Sequence, residues 1–452
     1  MTTRILVPSG ALGLNYDKEA LQLGLKKNPD IIAIDGGSTD SGPSYLGQGV
    51  SKYSRTSTKA EWKGLMEARA QQNIPLLIGT AGTCGADSAV DWFLDITKEV
   101  ANELNQSLKI VVIKSSQDNK TVSEAYLRGN IKPLPNAPEI SSEIISKCSN
   151  IVALAGAEQI IDALQEKPDI IIAGRTTDTA IIAALPIMNG VDPGIAWHGA
   201  KIAECGALCT TNPLSGVIIV EFDNKSFTIE PMSKDAKATP KTVSAHMLYE
   251  NTNPYILYEP GGYLDTQNAI YESATDNKVR VYGSKWNQSP RYTVKLEGAH
   301  LAGYQNIIIT LLRDKRYVEN AEIWAADIKL KCSELVCERL LLNKEEFSIE
   351  LRLIGQNASF GDLESQKVEL FEVGVMALVT SKSQKITTEI AQMLNPFLLH
   401  HPLDLNEELP TFSFPFSPAD IMRGPIYNFC LHHVWELDDP LKIFRKEIIK
   451  IG

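Results

Sequence analysis

The chain has 452 residues, with 44 Lys and Arg against 55 Asp and Glu, for a formal charge of −11. That balance speaks against a nucleic-acid partner and against an anionic membrane surface, since both need a dense basic face. Hydrophobic residues make up 44% and charged residues 22%, the proportions of an ordinary folded protein long enough for two or three domains.

The N-terminal MTTRILVPSG has no long apolar stretch after its charge, and no segment approaches the ~20 apolar residues of a membrane span. A cytoplasmic protein is expected. Its seven cysteines are scattered and contain no CxxC pair, so reduced thiols rather than a disulfide framework are expected.

From residue 4 to about 190, short β-branched runs at 5–8, 30–35, 74–79, 108–114 and 169–174 alternate with amphipathic stretches at 15–28, 57–72, 87–105, 137–148, 156–166 and 178–188. Continuous apolar strands between helices are the signature of a parallel sheet covered on both faces. The expected fold class is therefore α/β, with a doubly wound, mostly parallel, Rossmann-like sheet over residues 1–192. After Pro193 a small-residue helical stretch leads into strands at 216–222, 225–232, 254–260 and 277–283. A strand at 305–312, a helix at 316–342, a strand at 346–355 and a helix at 366–379 follow. This predicts a second, α+β domain over 193–382, and 383–452 is expected to be one helix and an extended tail.

In doubly wound sheets ligands bind beyond the carboxyl ends of the strands, and four such loops are rich in small and polar residues. The turn at 8–13 contains Ser9, but neither GxGxxG nor GxxxxGK[ST] occurs, which removes the main support for dinucleotide and P-loop readings. The loop at 35–43 offers Asp35, Gly36, Gly37, Ser38 and Thr39, acids and hydroxyls on a backbone that a ligand could approach. The loop at 79–87 offers Thr80, Gly82 and Thr83, and carries Cys84 at a helix start, either an inert thiol or a nucleophile. These loop amides form a candidate anion cradle. The loop at 174–178 offers Arg175, Thr176 and Asp178. Arg175 is the candidate ligand for a substrate anion through its planar fork, the alternative being a salt bridge to Asp178 or Asp35.

On a helix running from 197 past 206, His198, Lys201, Cys205 and Cys209 would fall on one stripe, with Glu204 about 100° round from Cys205. His198 is a candidate acid or base assisted by Glu204, or else a core histidine. A zinc set of His198, Cys205 and Cys209 matches no recognised ligand spacing, so no metal site is expected, and no motif names a cofactor. His246 and His300 carry less weight as candidates, since no motif surrounds them. GxSxG, HExxH and DFG are absent, which argues against the common hydrolase, zincin and kinase classes.

Three segments together, GRTTDTAIIAALPIM (174–188), HGAKIAECGAL (198–208) and SAHMLYENTNPYILYEPGGYLDTQNAIYE (244–272), resemble the acyclic terpene utilisation family, the AtuA-like proteins. The resemblance runs in order from about residue 4 to 310 and weakens beyond 330, where the tail looks like a small companion domain. It implies a metabolic enzyme acting on a carboxylate or acyl thioester.

The resulting expectation is an enzyme for a small carboxylic acid or acyl-CoA, working by lyase or hydratase chemistry. Asp35, Asp178, His198, Glu204 and Cys205 are the candidate catalytic groups. Ser9, Gly36, Gly37, Ser38, Thr39, Thr80, Gly82, Thr83, Arg175, Thr176 and Lys201 are the candidate substrate contacts. A thiol-dependent hydrolase or acyl transferase and a non-catalytic binding subunit are the alternatives, and a homo-oligomer is compatible with any of them.

Overall fold

The computed structural model describes residues 2–366, 369–404 and 406–452. The chain divides into two compact units, Met1–His300 with Phe429–Gly452, and Leu301–Asn428. The sequence rhythm instead changes at 193 and 383.

In the first unit, the strands in chain order are β1 (Thr3–Val7), β2 (Ile31–Asp35), β3 (Leu76–Gly79), β4 (Leu108–Lys114), β5 (Ile131–Pro133), β6 (Cys148–Ala153) and β7 (Ile170–Ala173). They continue with β8 (Ile218–Phe222), β9 (Ser226–Pro231), β10 (Ile256–Glu259), β11 (Gly262–Asp265), β12 (Ile270–Thr275), β13 (Lys278–Tyr282) and β14 (Lys285–Gln288). The chain passes to the second unit within β15 (Tyr292–Leu312), forms β16 (Phe347–Ile354) and β17 (Val373–Ser381), returns within β18 (Asp420–Leu437) and ends in β19 (Arg445–Ile451).

The largest sheet among the described residues has the order β12-β13-β9-β8-β1-β2-β3-β7-β4-β19. Its centre, β1-β2-β3-β7-β4, is parallel, while β8 and β19 run antiparallel to β1 and β4. It is thus a large mixed sheet containing a parallel segment, and its order differs from the 3-2-1-4-5-6 of dinucleotide-binding sheets. The central strands are buried on both faces, which is why they read as unbroken apolar runs such as Ile31–Ile34. Helices Lys18–Leu25, Arg55–Gln72 and Asp87–Glu103 pack Leu21, Trp62, Met66 and Phe93 on one face. Helices Ala157–Gln165, Ala180–Met188 and Pro193–Ala203 pack Ile160, Ile182 and Trp197 on the other.

All five parallel strands end on the same side, so the loops after β1, β2, β3 and β7 lie side by side. Close backbone contact there requires glycine. Gly85 has φ +63°, and a Cβ on it would sit 2.2 Å from the Arg175 nitrogen.

In the second unit β16 and β17 pair antiparallel, as do β17 and the 304–312 part of β15. The span 366–379, expected as helix, contains most of β17; its residues 367 and 368 lie outside the described residues. Val373, Val375, Ala377 and Val379 are buried on alternate positions against helices Ala321–Leu340 and Gln384–His400. The period-2 burial of β-branched residues overrides any helical reading.

Candidate functional site

Arg175 follows β7, and its main-chain N–H donates to the Gly85 carbonyl at 3.2 Å. Its guanidinium does not meet Asp35 or Asp178 in a salt bridge. Nε lies 2.9 Å from Glu297 Oε2, Nη1 donates to Thr80 Oγ1 at 3.3 Å and Nη2 to Thr39 Oγ1 at 3.5 Å. Thr39 and Lys295 also donate to Glu297, at 2.9 and 2.8 Å. Arg175 and Glu297 are both buried. Despite its burial, Glu297 is held well below the usual carboxylate range by Arg175 and Lys295. The fork expected to hold a substrate anion is therefore already satisfied by a protein carboxylate.

Several of the loop amides expected to form an anion cradle are bonded within the protein. Gly36 donates to the Gly79 carbonyl, Thr80 to Gly174, Ala81 to Ala173, Thr83 to Gly36 and Cys84 to Gly82, all within 2.8–3.1 Å. The Gly37 N–H binds Asp35 Oδ2 at 2.8 Å. Ser9 Oγ donates to the Ala11 carbonyl, and Ser38 Oγ accepts from the Asp40 N–H. Thr80 and Thr83 adopt φ +44° and +74°, strained values for β-branched residues. Hydrogen bonds to Thr80 Oγ1 from the Thr176 N–H and to Thr83 Oγ1 from the Lys52 N–H accompany that geometry. Gly82 is left-handed too, at φ +67°. The amides of Gly36, Gly37, Thr80, Ala81, Thr83 and Cys84 are thus used in holding the strand ends together.

A different group of side chains is left with chemical capacity. Lys201, in the last turn of helix Pro193–Ala203, is buried and donates to Glu204 Oε1 at 2.5 Å and to the Tyr249 carbonyl at 3.0 Å. Glu204 outweighs the cost of burial and keeps Lys201 charged. Burial pushes Glu204 itself up to about 8, Lys201 pulling the other way and Asp178 adding to the rise. Asp178, half-buried, rises to about 6 through burial, with Arg175 and Lys201 opposing and Glu250 and Asp40 assisting. Glu259, at the end of β10, rises to about 7 through burial, against hydrogen bonds from Thr179 and Thr177. Its Oε1 accepts from Thr179, and Oε2 is buried with no partner among the described residues. Asp35 is also pushed well up, by burial and then by Asp178, and its Oδ1 has no partner. Burial and these carboxyls push the Cys205 thiol up, and burial raises that of Cys84.

Glu204, Asp178 and Glu259 thus share the field of one lysine, Lys201, which is paired with Glu204, while Arg175 is balanced by Glu297. Such a site holds fewer cations than carboxyls, and its acids titrate near neutrality.

His198 is not part of it. Fully buried, its Nδ1 lies 2.6 Å from Ser284 Oγ, its Nε2 lies 3.0 Å from the Tyr271 hydroxyl oxygen, and its ring meets Phe227 and Tyr271 edge-on. Burial lowers it to about 3, which makes it a neutral core histidine. The expected stripe fails because the helix ends at Ala203; Cys205 has φ −97°, ψ 20°, and Gly206 turns left-handed at +59°. Cys209 is buried and bonded to the Gly206 carbonyl.

Glu259, Glu297, Lys295 and His246 were not among the expected site residues. A lone acid inside the apolar run Leu296–Ala299 and another before Pro260-Gly261-Gly262 were the available signals. A cleft of about 650 Å³ elsewhere in the first unit is lined by Asp118, Glu124, Arg128, Trp435 and Arg445. Its charges are used locally, Arg128 with Glu124 at 3.3 Å and Asp118 as a helix cap.

Fold and cluster together define a mixed α/β protein with an acid-rich interior beside the parallel strand ends. The sequence model of the acyclic terpene utilisation family protein AtuA matches residues 51–411, and the chain belongs to that family. The match extends past residue 330, where the resemblance was expected to fade. No curated protein and no solved structure matches the chain.

Proposed function

We propose that the chain is an enzyme acting on a small branched acyl compound, as the family's name suggests for acyclic terpenes, by acid–base chemistry next to a carbonyl. The observation that carries this reading is the group of Asp178, Glu259 and Glu204 around Lys201, with acids raised into the range where general acid–base catalysis operates. Its place beside parallel strand ends is where doubly wound, Rossmann-like sheets bind ligands.

The charge balance favours a thioester over a free acid as the reacting end. A fourth carboxylate, from the substrate, would add to an excess of acids, whereas an acyl-CoA carbonyl is neutral and can accept from Lys201. In this mechanism Asp178, the more acidic group, takes the α-proton. Lys201 stabilises the oxygen on which charge develops. Glu259, protonated at Oε2, gives its proton to a β-hydroxyl, which departs as water; the reverse steps hydrate the alkene. Lyase or hydratase activity follows.

The test is incubation with branched 2-enoyl and 3-hydroxyacyl thioesters in deuterated buffer, with mass spectrometry of the α-carbon. Wild-type protein should incorporate deuterium, and Asp178→Asn should lose about 10²–10⁴ of that rate. Glu259→Gln should retain exchange and lose dehydration. Absence of exchange with every thioester and free acid, together with no thermal stabilisation by any, overturns the reading.

A further inference from the structure

His246 lies in the 3-10 turn His246–Leu248, its ring stacked on Tyr249 at 5.4 Å and 8°. The residue is 4% exposed, and its Nε2 has no hydrogen-bond partner among the described residues. An imidazole nitrogen buried without a partner is costly. One donor atom from each of Glu204, Cys205 and His246 lies within 4.8 Å of the other two. Lys201, the cation facing this group, is drawn to Glu204 Oε1 and the Tyr249 carbonyl, and no described residue is hydrogen-bonded to Oε2.

A carboxylate oxygen, a thiolate sulfur and an imidazole nitrogen are together a borderline-soft donor set. Magnesium and calcium prefer all-oxygen sites; zinc and cobalt accept this mixture. Ligand atoms about 2.0–2.3 Å from a tetrahedral zinc are roughly 3–4 Å apart, so side-chain rotation of about an ångström closes the set. We propose that Glu204, Cys205 and His246 bind one zinc-class divalent cation, with a fourth position left open. Three protein ligands with an open position characterise catalytic rather than structural zinc. On binding, the Cys205 thiol and the Glu204 carboxyl each release a proton to solvent, and the two anionic ligands neutralise the cation. This goes beyond the acyl chemistry above, in which neither Cys205 nor His246 acts.

Chelator-treated protein is titrated with Zn²⁺ or Co²⁺, with metal per chain read by elemental analysis and the cobalt complex by its near-ultraviolet thiolate charge-transfer band. One equivalent and a clear band are expected. Cys205→Ser should abolish the band, and His246→Gln should weaken binding by at least about 10–100-fold, the loss seen even for outer-shell partners. Cys209→Ser should keep both. In wild-type protein, which needs no variant to fold, zinc should protect Cys205 from alkylation while Cys337 keeps its rate. No bound metal beyond that of a Glu204→Gln, Cys205→Ser, His246→Gln triple variant, a band surviving Cys205→Ser, or alkylation of Cys205 indifferent to zinc would each overturn the proposal. These readouts report metal alone, so they stand or fall separately from deuterium exchange.

Discussion

The guanidinium of Arg175 and the carboxylate of Glu297 are 122 residues apart in the chain and 2.9 Å apart in the interior of the first unit. Lys295 reaches the same carboxylate at 2.8 Å. The pair fixes the loop after β7 against β15 and removes Arg175 from the cations available to a ligand.

Glu297→Gln should destabilise the protein by about 3–5 kcal/mol near neutral pH, because it leaves a buried guanidinium without its counter-ion. Glu297 is held below its ordinary value in the fold. Its stabilisation is therefore complete above the unfolded value near 4.3 and is lost as pH falls toward the folded one. Urea unfolding of both proteins should show the gap narrowing below about pH 4. A constant gap across pH, or none at pH 7, contradicts the pairing.

Glu259 works in the opposite sense. Its folded value is about 7, above the unfolded one, so between about pH 4.5 and 7 the folded state holds an extra proton and stability falls as pH rises. Glu259→Gln removes that loss. The variant should gain about 1–3 kcal/mol relative to wild type at pH 8 and lose this advantage below about pH 4.5. Thermal melts at the two pH values decide it, and equal shifts at both would show that Glu259 ionises normally.

His198 tests the division between core and chemistry. His198→Ala should cost about 2–4 kcal/mol, since it opens a cavity and strands the hydroxyls of Ser284 and Tyr271. Deuterium exchange per folded molecule should stay within about tenfold of wild type, below the 10²–10⁴ effect of a catalytic acid or base. A larger loss in a folded variant would return His198 to the reaction.

The parallel centre of the large sheet was legible because strands buried on both faces leave unbroken apolar runs, as in Ile170–Ala173. The helix of 193–203 was legible too, but its end was not read from Gly206, a residue suited to the left-handed turn after a helix. That single misreading put His198 beside Cys205. Edge elements such as β6, with the mixed sequence CSNIVA, carry weak periodicity and escaped notice. Glu259, His246 and Glu297 come to the strand ends from remote segments, and nothing local in a sequence records such a meeting. Asp178, Glu204 and Lys201 were legible because each sits within a few residues of a strand end or helix end.

The end of the chain is the remaining piece whose role the fold defines. β19 pairs along its full length with β4, from Arg445 opposite Lys114 to Ile451 opposite Leu108. Ile449 and Ile451 pack on the core beneath β4. Lys446 pairs with Asp162 at 2.8 Å and with Glu166 at 3.3 Å, and Arg445 pairs with Asp87. The exposed ion pairs contribute little each; the ladder and the two isoleucines contribute most. Deleting residues 445–452 bares the edge of β4, a buried apolar strand whose free N–H and C=O groups invite pairing with another chain. The truncated protein should melt several degrees lower, exchange the β4 amides with solvent faster, and aggregate at concentrations where the full chain does not. Hydrogen exchange with mass spectrometry on peptides spanning 108–114 is the direct measurement. Unchanged protection there would mean that β19 is a surface appendage instead of the closing strand of the sheet.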